Sequence, residues 1–220
     1  MTPKGYIFDY GGTLDTGGYH WGKVLWHGWQ HAGVPVTEAQ FREAYVYAER
    51  TLGKTPIILP DYTFRQTLEA KVRLELGYLG VDGYADAIVD NIYEETQQHT
   101  AHSREVLQQL QLPKVLVSNF YGNIATVLRE YGLDGIFETI VESAVVGVRK
   151  PDPRIFTLGV EALGLQPGEV VVVGDSIDKD IIPARAAGCQ TVWIRGEQWT
   201  DDAVDESIAD RIIDDLSELL

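Results

Sequence analysis

The residues with the clearest chemical potential stand at the ends of short apolar runs. Tyr6-Ile7-Phe8 stops at Asp9 and passes at once into Tyr10-Gly11-Gly12-Thr13-Leu14-Asp15. Lys114 to Val117 runs into Ser118-Asn119, and Val170 to Val173 runs into Gly174-Asp175-Ser176-Ile177-Asp178-Lys179-Asp180. Between these lies Val148-Arg149-Lys150-Pro151-Asp152-Pro153. A carboxylate at the tip of a buried strand sits where open α/β sheets bind ligands, outside the carboxyl ends of their strands. Asp9 is therefore a candidate catalytic residue; the alternative is a strand-ending turn. Ser118 and Asn119 offer a hydroxyl and backbone donors to a phosphate oxygen, although the same dipeptide serves as an ordinary strand-to-loop transition. Asp175, Asp178 and Asp180 suit Mg²⁺, a hard cation that prefers oxygen ligands. The competing reading is an acidic helix start favoured by the dipole. Lys150, in a turn stiffened by Pro151 and Pro153, is a fixed ammonium for an anion.

Two kinds of element must position these groups. From Gly17 the pattern turns helical, with Trp21, Val24, Leu25 and Trp29 on one face before Gly33 and Pro35. Thr37-Glu38-Ala39-Gln40 and Thr63-Phe64-Arg65-Gln66 are capping-box patterns, each opening a further helix. A fourth helix carries Ala85, Ile88, Val89, Ile92 and Tyr93. After this, short Val/Ile runs alternate with helices: 115–117, 137–141, 170–173, 191–194 and 211–213. That alternation predicts a parallel sheet with crossover helices. The expected architecture is a discontinuous α/β core, residues 1–16 and 96–220, with a helical cap, residues 17–95, inserted into it.

Composition bounds the partners. The chain has 220 residues, 45% of them hydrophobic, and a formal net charge of −15. That balance argues against nucleic acid or an anionic membrane surface as partner, since both need a basic face. The single cysteine, Cys189, excludes an intrachain disulfide and reads best as a small buried residue beside Gly188. With the first strand starting so close to Met1, no signal peptide is expected, and no run reaches transmembrane length. The expected location is cytoplasmic; oligomeric state is silent.

In order and spacing, Phe8-Asp9-Tyr10-Gly11-Gly12-Thr13-Leu14, Val117-Ser118-Asn119, Arg149-Lys150-Pro151-Asp152-Pro153 and Gly174-Asp175-Ser176-Ile177-Asp178-Lys179-Asp180 resemble the four motifs of the haloacid dehalogenase superfamily. The resemblance spans the whole chain and implies a Rossmann-like core with a C1-type helical cap. By that resemblance Asp9 is the nucleophile that forms an aspartyl-phosphate, and Ser118, Asn119 and Lys150 hold the transferring group. It further implies that Mg²⁺ is bound by Asp9, the Gly11 carbonyl and Asp175, with Asp180 orienting the metal's water shell, and that the substrate is a small phosphorylated metabolite.

One position departs from the pattern. Family phosphatases usually carry a second aspartate, the general acid, where this chain has Gly11. General acid–base catalysis is worth about 10²–10⁴ in rate. Its loss should restrict the leaving groups that work, unless Asp15 or His20 substitutes. Two other readings stay open. One is a phosphonate hydrolase using a cap lysine, Lys23, Lys54 or Lys71, as a Schiff base. The other is a phospho-ligand binding protein whose chemistry has decayed at Gly11. The metal-free 2-haloacid dehalogenases are disfavoured by the acids at 175 and 180. Specificity is expected in the cap, with Trp21 and Trp29 read as packing residues.

Overall fold

The Val/Ile runs form a six-stranded, wholly parallel sheet: β1 (Gly5–Phe8), β2 (Lys114–Ser118), β3 (Thr139–Glu142), β4 (Val170–Gly174), β5 (Gln190–Ile194) and β6 (Arg211–Ile213), in the order β3-β2-β1-β4-β5-β6. The computed structural model describes residues 3–200 and 205–220. Side chains alternate across β1: Tyr6 and Phe8 join one apolar layer, and Ile7 joins the other with Val115, Val117, Val172 and Phe156. A sheet buried on both faces explains why its central strands read as unbroken apolar runs. The strand order reverses direction at β1, so the carboxyl ends of β1, β2 and β4 surround the crevice where such sheets take ligands.

The helices are α1 (Trp21–His31), α2 (Glu38–Leu52), α3 (Phe64–Leu79), α4 (Ala85–Gln109), α5 (Ile124–Glu130), α6 (Ser143–Val146), α7 (Arg154–Leu163) and α8 (Ile182–Ala186). Both capping boxes form, Thr37 with Gln40 and Thr63 with Gln66. The helices α1–α4 share one apolar layer with the sheet, in which Trp29, Phe41, Leu68, Ile88 and Ile92 are buried. No described helix is long and apolar enough to cross a membrane.

Two elements differ from expectation. β3 starts at Thr139 rather than at Phe137, because Phe137 turns its ring onto Phe8 at 6.4 Å instead of entering the ladder. α4 runs on to Gln109, across the expected boundary at 95/96. Its second half is polar in sequence yet buried along one face: Thr96 and Thr100 return their hydroxyls to the carbonyls of Ile92 and Thr96 at 2.8 and 2.7 Å, and Ser103 donates to Leu14 O at 2.7 Å. The segment after β5 is stitched to the helical layer. His20 N donates to Glu197 O at 2.9 Å, and Arg42 donates to Trp199 O at 2.7 Å with its guanidinium 4.1 Å above the Trp199 ring.

Candidate active site

Asp9 follows β1 with its backbone N–H bonded to Val173 O at 3.0 Å, which fixes where its carboxylate leaves the sheet. Asp175 follows β4, and Asp180 comes from a π-helical turn, Ile177–Ile181, that Ser176 caps. The carboxylates of Asp9, Asp175 and Asp180 offer oxygens all within 4.8 Å of one another, and all three residues are buried. The Lys150 ammonium, 4% exposed, contacts Asp9 and stands 2.7 Å from Asp180 Oδ1. Thr13 Oγ1 lies 3.3 Å from Asp9 Oδ2 and 3.2 Å from Asp175 Oδ1.

Two glycines make this approach possible. A Cβ on Gly12 would stand 2.4 Å from the Asp175 carboxyl, at a φ of +103° that L side chains rarely adopt. A Cβ on Gly174 would meet Asp180 at 2.4 Å. Gly11 has no such constraint: its φ is not positive, and a Cβ there would make ordinary 3.6 Å contacts with the Trp21 indole.

Asp9, Gly11, Asn119, Lys150, Asp175 and Asp180 all line one cavity of about 570 Å³ between the sheet end and α1–α3. Ser118 ends β2, buried, and is not among the cavity's lining residues. The Asn119 carboxamide is engaged on the Lys150 backbone, which is cis to Pro151. Burial pushes the Asp9 carboxyl up to about 6, against the pull of the Lys150 ammonium. Burial and the neighbouring Asp180 and Asp9 charges push Asp175 far above the carboxylate range. Burial works against the Lys150 charge, but Asp180 and Asp9 hold its pKa above the ordinary lysine value. Three buried carboxylates around one ammonium leave negative charge uncompensated, and hard oxygen donors fit a divalent cation.

A profile of the haloacid dehalogenase-like hydrolases matches residues 3–188. The chain belongs to this family. It is 31% identical over 175 residues to the haloacid dehalogenase-like hydrolase domain-containing protein 3 of Danio rerio, a match covering 72% of this chain and 71% of that one. It is 42% identical over 91 residues to the glyceraldehyde 3-phosphate phosphatase of Methanopyrus kandleri, which covers 40% of this chain and only 39% of the relative. In fold it is similar to the hydrolase YfnB of Bacillus subtilis, solved bound to magnesium. Identity there is 18% and the TM-score 0.61, over 100% of this chain and 97% of that one.

Within this haloacid dehalogenase-like hydrolase, the two suggested substitute acids both line the cavity, each already engaged by backbone or side-chain donors. Asp15 is fully buried; its Oδ1 accepts Gly12 N at 2.7 Å and its Oδ2 accepts the Trp21 indole N–H at 3.0 Å. Burial raises its carboxyl to about 8. His20 caps α1, its Nδ1 accepting Gly22 N at 3.0 Å, and burial lowers its pKa to about 3. Of the lysines, Lys23 lies near Glu38 and Glu197 and is outside the cavity lining, while Lys54 is an exposed loop residue that lines it. Lys71 lines the cavity but pairs with Glu49, which also accepts the Tyr121 hydroxyl at 2.9 Å. Burial opposes the Lys71 charge, yet Glu49 lifts its pKa well above the usual value, the opposite of what a Schiff-base lysine needs.

The structure also recruits residues that sequence reading did not assign. Thr13 bridges two carboxylates, and the Trp193 indole N–H holds Asp175 O at 2.7 Å. Trp29 packs in the core as expected, whereas Trp21 is half-buried and lines the cavity. Cys189 is buried beside Gly188, as expected.

Proposed function

We propose that this chain is a Mg²⁺-dependent phosphohydrolase acting on a small phosphorylated molecule through an aspartyl-phosphate on Asp9. The observation that carries this reading is the trio of buried carboxylates, Asp9, Asp175 and Asp180, around the single ammonium of Lys150. Asp9, the Gly11 carbonyl and Asp175 would hold the ion, with Asp180 orienting its water. When bound, Mg²⁺ supplies charge neutralisation for the transferring phosphoryl group. Lys150 stabilises the ionised Asp9 carboxylate for attack on phosphorus and holds the phosphoryl oxygens, with Asn119, which lines the cavity, positioning it through the Lys150 backbone. Phosphoryl transfer asks mainly for this positioning and charge stabilisation. The named phosphatase among the relatives supports the reaction class, and a cavity of about 570 Å³ falls in the range of small-molecule sites. In this reading residues 17–95 act as the cap over a core of 1–16 and 96–220.

The test is chemical trapping. Wild type given p-nitrophenyl phosphate and Mg²⁺ should release nitrophenolate and, after acid quench, carry a hydroxylamine-labile phosphate. Asp9→Asn should fold and show neither. Undiminished turnover in that variant removes the reading.

A further inference from the structure

Beside Asp9, the chain presents a ring where a proton donor would otherwise stand. Gly11 has no side chain, and the Trp21 indole covers it, 3.6 Å from where a Cβ would be. That indole is fixed: its N–H is given to Asp15, whose other oxygen takes Gly12 N, so the N–H is spent and the Asp15 carboxyl, though it borders the cavity, has both oxygens engaged by protein donors. Aromatic rings recur in the lining beside its polar groups. Phe64 lies 5.5 Å from Trp21, and Phe120, packed edge-on to Tyr10 at 5.9 Å, lines the same cavity with Tyr45 and Tyr121. The buried cation of this wall, Lys71, is already paired with Glu49; the other lining cations outside the catalytic cluster, Lys54, Arg149 and Lys179, are exposed. The wall is therefore built for an apolar planar group rather than for a second anion.

We propose that the preferred substrates are aryl phosphates, monoesters of a phenolic oxygen whose ring lies against Trp21 and whose oxygen departs as an anion without being protonated. This rests on the phosphohydrolase reading above. An Asp9 oxygen bonds to phosphorus while the P–O(aryl) bond breaks, its electron pair leaving on the phenolate. Water then attacks phosphorus and the P–O bond to Asp9 breaks. The carboxylate is restored, dihydrogen phosphate is released, and the phenolate takes its proton from it or from solvent. A phenolic oxygen ionises near about 10, so it leaves unaided far more readily than an alkoxide.

Four substrates separate the two requirements, ring and leaving group: phenyl, benzyl, ethyl and acetyl phosphate, each assayed with Mg²⁺. Phenyl and benzyl phosphate should share KM within about threefold. The kcat for benzyl phosphate should be lower by about 10²-fold or more, the contribution a general acid would have made. Ethyl and acetyl phosphate should show KM values about tenfold higher, the worth of one good aromatic contact. Benzyl phosphate turning over as fast as phenyl phosphate would overturn the proposal, because a donor would then be at work. So would acetyl phosphate matching the KM of phenyl phosphate, because the ring would not be read. Binding gives an independent readout. By calorimetry, Trp21→Leu should weaken phenylphosphonate about tenfold and leave methylphosphonate unchanged, and equal weakening of both counts against it. Failure of all four substrates, with no label on Asp9, sinks the phosphohydrolase reading and takes this one with it. Turnover without ring preference overturns this one alone.

Discussion

Asn119 and Lys150 hold each other by two hydrogen bonds: Asn119 Oδ1 accepts Lys150 N at 2.9 Å and Asn119 Nδ2 donates to Lys150 O at 3.1 Å. The loop after β2 therefore sets where the ammonium stands, although the two residues are 31 positions apart. Each bond is worth about 1 kcal/mol net. Asn119→Ala should lower kcat/KM roughly thirtyfold if both are spent on positioning. Asn119→Asp, which keeps the acceptor and loses the donor, should fall between. Steady-state kinetics with p-nitrophenyl phosphate checks the order, and a silent Asn119→Ala would separate the cradle from catalysis.

Metal binding should distinguish the two acids of the β4 segment. Asp180 has both oxygens taken by protein donors, Oδ1 by Lys150 at 2.7 Å and Oδ2 by Ser176 N at 3.1 Å. The Asp175 carboxylate meets only the long 3.2 Å contact from Thr13 among the described residues. Asp175→Asn should abolish the rise in melting temperature that Mg²⁺ gives to the wild type, whereas Asp180→Asn should reduce it. Thermal melts across a Mg²⁺ series decide; an undiminished shift in Asp175→Asn contradicts the assignment.

Adjacent glycines should respond in opposite ways. Gly11→Asp makes only ordinary contacts with Trp21 and should raise turnover of ethyl phosphate at least tenfold over Gly11→Asn, short of the about 10²–10⁴ that a well-placed acid supplies. Gly12→Ala, with its Cβ 2.4 Å from the Asp175 carboxyl, should lose turnover and at least about 1 kcal/mol of stability. An Asp variant no better than the Asn variant, both folded, shows that position 11 is not a vacant acid site.

Glu75, on α3, is fully buried beside the Trp29 indole N–H, and among the described residues neither its oxygens nor that N–H makes a hydrogen bond of normal geometry. Burial raises its carboxyl to about 8. An unfolded glutamate ionises near about 4.3. Between these values the folded chain keeps a proton that the unfolded chain has released, so stability falls as pH rises, by up to about 1.4 kcal/mol per pH unit from this group. Glu75→Gln should gain on the wild type steadily from pH 4.5 to pH 8 in urea unfolding. Parallel curves for the two proteins would show that Glu75 carries no such linkage.

What could be read from the chain was what local physics writes locally. Strands buried on both faces appear as apolar runs, and three of the candidates stood where such a run met a carboxylate or hydroxyl, Asp9, Ser118 and Asp175, while Lys150 stood out by the prolines around it. Thr37 with Gln40 and Thr63 with Gln66 announced two helix starts within four residues each, and both boxes form. The continuation of α4 was hidden because its buried face from 96 to 103 is threonine and serine, whose hydroxyls are satisfied by the helix and by Leu14 O, before Val106 and Leu107 resume the apolar stripe. Lys71, Glu49 and Tyr121 come from α3, α2 and the loop after β2, and no local pattern reports a pairing across 72 residues. Trp21 and Trp29 share one apolar stripe, so periodicity could not tell the packing ring from the one that faces the cavity.

Thr13 has one hydrogen and two carboxylates in reach, at 3.3 and 3.2 Å, both long for an O–H donor. Its hydroxyl is shared between Asp9 and Asp175, so a change in the charge of either tilts it toward the other. In the proposed cycle an esterified Asp9 would be the poorer acceptor, which would tilt the hydroxyl toward Asp175. The orientation of one hydroxyl would then follow the covalent state of Asp9 in that cycle, and Thr13→Val, similar in shape but mute, would remove it.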